Sequence, residues 1–235
     1  MDFGRLAAIQ RLCANYGPNK TGEGSRMSPK SKVILSAAMA AAMIALLGAA
    51  AAEAASDKPV YVSVGATARA PIGYVEFCNE MPKECAVTAS DPRDVVLTAK
   101  VWKDLVRVNK WVNDSIAPVT DMDHWGVVEK WSYPDDGKGD CEDYVLLKRR
   151  MLMQAGWPRE ALLITVVRDK KGDGHAVLTV KTDKGDFVLD NQEEQVLLWS
   201  DTGYRFVKRQ SQSNPNNWVS LGDTRPAFST ATSSR

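Results

Sequence analysis

The spacing of apolar residues divides the chain into three regions. Residues 33–52 are almost continuously apolar and carry no charge. In residues 94–116 and about 141–155, apolar residues recur every three or four positions, the period of amphipathic helices, and from residue 161 onward they alternate with polar ones. Helices followed by strands predict an α+β fold, with the helices packed on an antiparallel sheet.

The helical region predicts two helices. The first spans 94–116, has Pro118 just beyond its end, and places its apolar residues on one face: Leu97, Val101, Leu105, Val108, Val112 and Ile116. The second spans about 141–155. Asp140 is its expected N-cap, and Asp143 occupies the capping-box position three residues later. The basic run 148–150 is expected on the solvated face of this helix.

The alternating region predicts strands at 161–168, 175–181 and 186–191, and the meander continues through 196–199 and 204–209. Residues 118–139 are expected to form a long ordered loop, which in a compact domain is more often functional than idle. Residues 56–92 are rich in Pro, Gly and small residues and predict an irregular N-terminal wrap. This wrap and the core at 93–222 are expected to form one domain, followed by a flexible tail at 223–235.

The apolar block at 33–52 has the layout of a secretory signal peptide. Lys30 and Lys32 precede it, and it ends in the small-residue run AAEAAS, which suits cleavage after Ala54 or Ala55. We assign residues 27–55 to the signal peptide, with Met27 as the true start and residues 1–26 as an upstream extension. The alternative is an uncleaved membrane anchor at 33–52. The predicted location is the periplasm or the cell exterior.

Charge and cysteine content narrow the classes of function. Lys and Arg total 30 and Asp and Glu total 29, a balance that argues against nucleic acid as a partner. Cys13 lies upstream of the apolar block. Cys78 and Cys85 flank a short proline-containing loop, and in an exported protein we expect them to form a disulfide. Cys141 is then left over, and a leftover cysteine in a secreted chain is a candidate reactive thiol.

Three residues form a candidate catalytic set. Cys141 begins the second predicted helix, where backbone N–H groups and the helix dipole favour a thiolate. His175 opens one strand and Asp190 ends the next. A two- or four-residue hairpin loop puts Asp190 opposite either His175 or Val177, and both registers keep imidazole and carboxylate on one face. Nucleophile, base and orienting carboxylate are the parts of a thiol hydrolase, although this spacing alone also arises by chance.

Longer motifs are more specific. The run Trp131–Tyr144, followed by AGWP (155–158), GHAVL (174–178) and VLDN (188–191), resembles the bacterial transglutaminase-like cysteine peptidases, a family that includes periplasmic proteases releasing biofilm adhesins. The resemblance covers about residues 70–222. It implies a papain-like, transglutaminase-like core and a Cys141–His175–Asp190 triad. It also implies a protein or peptide substrate such as a surface adhesin, with an inner-membrane regulatory protein as a further partner.

The resemblance further implies bound Ca²⁺. In the adhesin-releasing members, the acids flanking the cysteine hold the ion, and those positions match Asp140 and Glu142 here. A cation would offset the like-charge penalty that these acids impose on a thiolate. The alternative is that the acids only complement the dipole at the helix start.

Other candidates are weaker. His124 is the second candidate for the base, although as a loop residue it is expected to pack or to line the cleft. Trp125 and Trp131 are candidates for the wall of the substrate cleft. Two alternative functions stay open: a transglutaminase-type acyltransferase, in which an amine replaces water, and a catalytically idle periplasmic binding module on the same fold.

Overall fold

The computed structural model describes residues 60–86 and 91–223, which lie within one compact unit of the chain. The signal peptide, the upstream extension and the tail beyond residue 223 therefore lie outside the described residues. Within the described ranges, no helix is both long enough and apolar enough to cross a lipid bilayer.

The structure is α+β, as predicted, and its helices are α1 (Ile72–Glu80), α2 (Ala99–Ser115), α3 (Asp121–Trp125) and α4 (Cys141–Gln154). The strands are β1 (Val64–Ala68), β2 (Ala117–Pro118), β3 (Lys138–Gly139), β4 (Leu162–Arg168), β5 (Gly174–Thr182), β6 (Gly185–Leu189), β7 (Leu197–Leu198), β8 (Arg205–Gln210) and β9 (Trp218–Leu221). Seven strands form one antiparallel sheet in the order β1-β9-β8-β4-β5-β6-β7, and the short strands β2 and β3 pair in parallel.

Helix α2 begins later than predicted. Thr98 caps it by accepting a hydrogen bond from the Val101 N–H, and Val95 forms a bridge to Thr182 instead of a helical turn. The predicted apolar face is largely correct, since Leu105, Val108, Val112 and Ile116 are buried against the core. Helix α2 thus packs on α4, and α4 packs on β5.

The prediction that residues 148–150 lie on a solvated face of α4 is wrong for Lys148 and Arg149. Lys148 is fully buried and Arg149 nearly so, and the Arg149 Nε atom donates to the Leu162 carbonyl. Helix α4 lies between α2 and the sheet, so almost its whole circumference is covered. A local pattern of charges does not reveal that a helix is central, because the long aliphatic stems of Lys and Arg also pack in a core.

Two other predictions need correction. The expected irregular wrap contains β1, which pairs with β9 at the sheet edge, and helix α1, which carries Cys78. The meander is broken after β7, because β8 pairs with β4 instead of β7. The Cys78–Cys85 disulfide is present, with Cα atoms 5.5 Å apart.

The two faces of the sheet bury different clusters. Alternate residues along the strands, such as Ile164 and Leu178, pack under the helices. Val167, Val177 and Val188 point to the other face, where they join Trp199 and Phe206 in a second cluster. This strict alternation fixes the register, because a slip by one residue would exchange the two clusters.

Candidate active site

The start of α4 is held by close packing against the preceding strand. Gly139 in β3 lies so near Asp143 that a Cβ at position 139 would approach the Asp143 Cβ to 2.7 Å, so only glycine fits there. Asp140 occupies the N-cap position, but its side chain makes no capping hydrogen bond, contrary to expectation. Its Oδ2 atom instead accepts from the Asp121 N–H at 3.2 Å.

Cys141, the first residue of α4, contacts strand β5. The Ala176 N–H donates to the Cys141 Sγ at 3.4 Å, which brings the thiol beside the residue that follows His175. The thiol itself donates to Glu142 Oε2 at 3.2 Å. Burial, and then the neighbouring Glu142 carboxylate, raise the pKa of the Cys141 thiol well above its ordinary value. The acids around the thiol therefore oppose its ionisation, as electrostatics predicts.

His175 and Asp190 form a buried pair. The strands pair Leu178 with Leu189, so the register is the one that places Asp190 level with Val177, diagonal to His175. The His175 Nε2 and Asp190 Oδ1 atoms are 2.8 Å apart. An ionised carboxylate can only accept, so Nε2 carries a hydrogen and Nδ1 of the neutral ring keeps its lone pair. The Gln192 side-chain Nε2 lies 3.4 Å from that Nδ1.

Helix α2 holds the segment that begins at Asp190. The Asn109 Oδ1 accepts from the Asp190 N–H at 3.1 Å, and Asn113 Nδ2 donates to the Asp190 carbonyl at 2.8 Å. Asn109 Nδ2 also donates to the Glu193 and Glu194 carbonyls. Burial alone would raise the pKa of Asp190, but hydrogen bonds from His175, the Gln192 N–H and Tyr204 outweigh it and hold the pKa below its usual range.

An acidic cluster lies next to the thiol. Carboxylate oxygens of Asp121, Asp140 and Asp143 lie within 4.8 Å of one another. In the described part of the chain, Asp140 Oδ1 and Asp143 Oδ2 are buried and lack a hydrogen-bond partner. Burial raises the pKa of Asp121, and it raises that of Asp143 to about 7. Buried carboxylates with unused oxygens fit an oxygen-ligated cation, which would take up their charge.

Glu142 lies beside this cluster but is not one of the three grouped residues. Its Oε2 accepts from the Cys141 thiol, and its Oε1 is buried and has no hydrogen-bond partner within the described ranges. Burial and the adjacent Asp140 raise the pKa of Glu142 to about 10. Asp121, which the sequence did not indicate, enters the cluster because α3 folds back onto the start of α4.

The remaining candidates are His124, Trp125 and Trp131, and their contacts are with other residues than Cys141 and His175. His124 Nε2 is paired with Asp136 Oδ2 at 2.8 Å, and its ring stacks on Trp125. Trp125 is 44% exposed. Trp131 is buried, packs edge-on against Tyr74 and donates its indole N–H to Glu129. Its ring therefore packs in the core and does not line an open cleft.

One family model matches most of the chain. The family model described as bacterial transglutaminase-like cysteine proteinase matches residues 64–226. Among solved structures, calcium-bound LapG of Legionella pneumophila is 25% identical, with a TM-score of 0.44 over 55% of this chain and 72% of that chain. EGTA-treated LapG of the same organism is 25% identical, with a TM-score of 0.43 over 52% and 71%. A comparison with curated proteins gave no match.

Proposed function

The chain belongs to the bacterial transglutaminase-like cysteine proteinases, and from this premise we propose that it is an exported thiol peptidase with a Cys141–His175–Asp190 triad. Its substrate would be a periplasmic or cell-surface protein such as an adhesin. The buried hydrogen bond between His175 and Asp190 is the observation that supports the triad. The Cys141 thiol lies close to this pair, because it accepts from the N–H of Ala176, the residue that follows His175.

The reaction begins with proton transfer. Because its surroundings disfavour a free thiolate, Cys141 is predominantly protonated before substrate binds. The lone pair on His175 Nδ1 takes the thiol proton as Sγ attacks the peptide carbonyl carbon. Asp190 accepts from Nε2–H, so it fixes the ring orientation and stabilises the imidazolium that forms.

Two bond changes complete the acylation. The new S–C bond forms, the C–N bond breaks, and the imidazolium gives its proton to the leaving amine. Backbone N–H groups in the first turn of α4, including that of Cys141, are suited to hold the carbonyl oxygen as it gains negative charge. Water then attacks the thioester, with His175 as the base, and releases the acid product and the free thiol.

Asp121, Asp140 and Asp143 are the residues that would hold a calcium ion, with Glu142 as a neighbouring carboxylate. The buried, unused oxygens of Asp140 and Asp143 and the proximity of the three carboxylates support this assignment, as does the preference of Ca²⁺ for six to eight oxygen ligands. When bound, the ion would offset the negative potential that these acids impose on the Cys141 thiolate.

The test compares wild type with Cys141→Ala and Asp190→Asn on a cell-surface protein extract, followed by mass spectrometry of the products. We expect new peptide termini only with wild type. Asp190→Asn should slow cleavage by roughly 10⁴-fold, because the neutral amide does not stabilise the imidazolium by charge and its NH₂ group can favour the wrong imidazole tautomer. An exposed-site control, Asp114→Asn on α2, should cleave like wild type. Amine-linked products without new termini would indicate acyl transfer, and products that persist in Cys141→Ala would exclude the thiol mechanism.

A further inference from the structure

The Asp190 carboxylate has a second partner besides His175. Its Oδ1 atom accepts from His175 Nε2 and from the Gln192 N–H, the latter at 3.0 Å. Its Oδ2 atom accepts from the Tyr204 hydroxyl at 2.6 Å. The Tyr204 ring also packs edge-on against the His175 imidazole, with centroids 5.7 Å apart and an interplanar angle of 84°. One buried phenol therefore contacts both members of the pair.

A dedicated turn places Tyr204. Thr202, which is buried, donates its hydroxyl to the Trp199 carbonyl and accepts from the Tyr204 N–H. Gly203 between them has φ +74°, a conformation that favours glycine. This turn precedes β8, the strand that pairs with β4, so Tyr204 is fixed from a different part of the sheet than either His175 or Asp190.

From these contacts we infer that Tyr204 is a positioning residue of the triad, whose hydroxyl holds Asp190 Oδ2 so that Oδ1 faces His175 Nε2. The inference rests on the proposed function, since it assigns Tyr204 a role in that reaction. In this role Tyr204 acts through Asp190.

A neutral donor suits this position. A carboxylate with one oxygen on His175 can rotate about its Cβ–Cγ bond unless the other oxygen is also held. Arg or Lys at this place would hold it but would also cancel the negative charge that stabilises the imidazolium. A phenol satisfies the buried oxygen and leaves the carboxylate charged. The same hydroxyl therefore orients the carboxylate and preserves its charge.

The test removes the hydroxyl and keeps the ring. Tyr204→Phe is compared with Tyr74→Phe, a matched loss of a buried phenol, since the Tyr74 hydroxyl bonds to Asn216 and Gln210 instead. On a peptide that wild type cleaves, we expect kcat of Tyr204→Phe to fall about 10- to 100-fold, with KM changed less than twofold. Tyr74→Phe should keep kcat. Equal kcat in Tyr204→Phe and wild type would overturn the inference.

A second readout needs no substrate. The chain has two histidines, so a His124→Gln background leaves only the His175 imidazole to be followed by NMR. In that background, Tyr204→Phe should speed exchange of the Nε2 proton with water at least tenfold. Tyr74→Phe should leave this exchange rate unchanged. A purely structural Tyr204 would lower the melting temperature and leave the exchange of the His175 Nε2 proton as in wild type.

Together, the kinetic and NMR experiments distinguish a failure of the peptidase proposal from a failure of the positioning role of Tyr204. If wild type cleaves nothing but the His175 signals depend on Tyr204, the peptidase proposal fails and the positioning role stands. If wild type cleaves and the signals ignore Tyr204, the positioning role fails alone. Should Tyr204→Phe not fold, 3-fluorotyrosine at position 204 replaces it. Its ¹⁹F shift should then move when His175 is replaced by Gln, because both side chains bind Asp190, and a shift that ignores this replacement would refute the inference.

Discussion

The Asn109 side chain binds the backbone of Asp190, with its Oδ1 atom 3.1 Å from the Asp190 nitrogen. Asn109 is fully buried on α2, and its amide nitrogen holds the Glu193 and Glu194 carbonyls as well. One side chain therefore fixes the whole turn after β6. Helix α2 contributes no residue to the proposed triad, but it holds the backbone of Asp190 in place.

Asn109→Ala should consequently affect both stability and catalysis. The substitution leaves one backbone donor and two backbone acceptors without their partner, so we expect the free energy of unfolding to fall by about 2–4 kcal/mol. Cleavage should slow at least tenfold at temperatures where the variant is fully folded. Urea unfolding and peptide kinetics measure the two effects. The neighbouring exposed Lys110→Ala is the control, and an Asn109→Ala protein with wild-type kinetics would show that α2 does not fix Asp190.

Calcium should stabilise the protein through the acidic cluster. At a free concentration 100 times the Kd, binding adds about 2.7 kcal/mol to the free energy of unfolding, which raises the melting temperature by roughly 5–10 °C for a domain of this size. Calorimetry with Ca²⁺ and with a chelator measures the shift. Asp121→Asn should abolish most of it, whereas Asp104→Asn on α2 should retain it. Identical wild-type melting curves in both buffers would refute calcium binding.

Lys148→Met should stabilise the protein in a pH-dependent way. Burial lowers the pKa of Lys148 to about 7, below the ordinary lysine value of about 10.4 in an unfolded chain. Between these values the unfolded chain binds the extra proton, so wild-type stability rises with pH across that window. The gain from methionine should be about 1–4 kcal/mol at pH 7.

That gain should shrink as the pH rises from about 7 towards about 10.4, and it is smallest above that value, where the lysine is neutral in both states. Urea unfolding at several pH values gives the profile. Lys103→Met, at an exposed position of α2, should show no such trend. A Lys148→Met gain that grew with pH would mean that the buried amine is charged in the folded protein across the whole range.

Asp186→Asn should be among the most destabilising single changes. Asp186 is fully buried, its two oxygens bind Lys181 at 2.7 Å and Arg209 at 2.8 Å, and Oδ2 also accepts from the Val62 N–H. The amide would leave two buried cations without a counter-charge, at a cost of about 3–5 kcal/mol.

Chemical denaturation measures this cost. Asp104→Asn, which removes the partner of a solvent-exposed lysine, provides the comparison and should cost less than about 1 kcal/mol. A small effect of Asp186→Asn would mean that Lys181 and Arg209 find other partners.

The sequence predicted those parts of the fold that depend on local periodicity. The α2 face and strands β4, β5 and β6 follow directly from the spacing of apolar residues. The register between β5 and β6 did not, because the Asp183–Lys184 turn is not a strong hairpin signal. The order of strands also escaped prediction, since the pairing of β8 with β4 depends on contacts between residues distant in the sequence.

Some residues of the candidate site could be identified from the sequence, and others could not. Cys141, His175 and Asp190 were identifiable because each lies at the end of a predicted element and within a motif. Asp121, Asn109 and Tyr204 were not, because each is an ordinary polar residue, and the contact that links it to Asp140 or Asp190 spans at least 14 residues of the chain. Lys148 and Arg149 were misassigned because burial depends on whether a helix is central.

The pairing of β1 with β9 joins the first and last strands of the described residues. Strand β8, which follows Tyr204, also lies late in the sequence. Closing the sheet therefore requires contacts between distant segments, and such contacts form slowly. A chain truncated before β8 would lack both Tyr204 and the partner of β4, so in such a chain the proposed triad would be without its second support on Asp190.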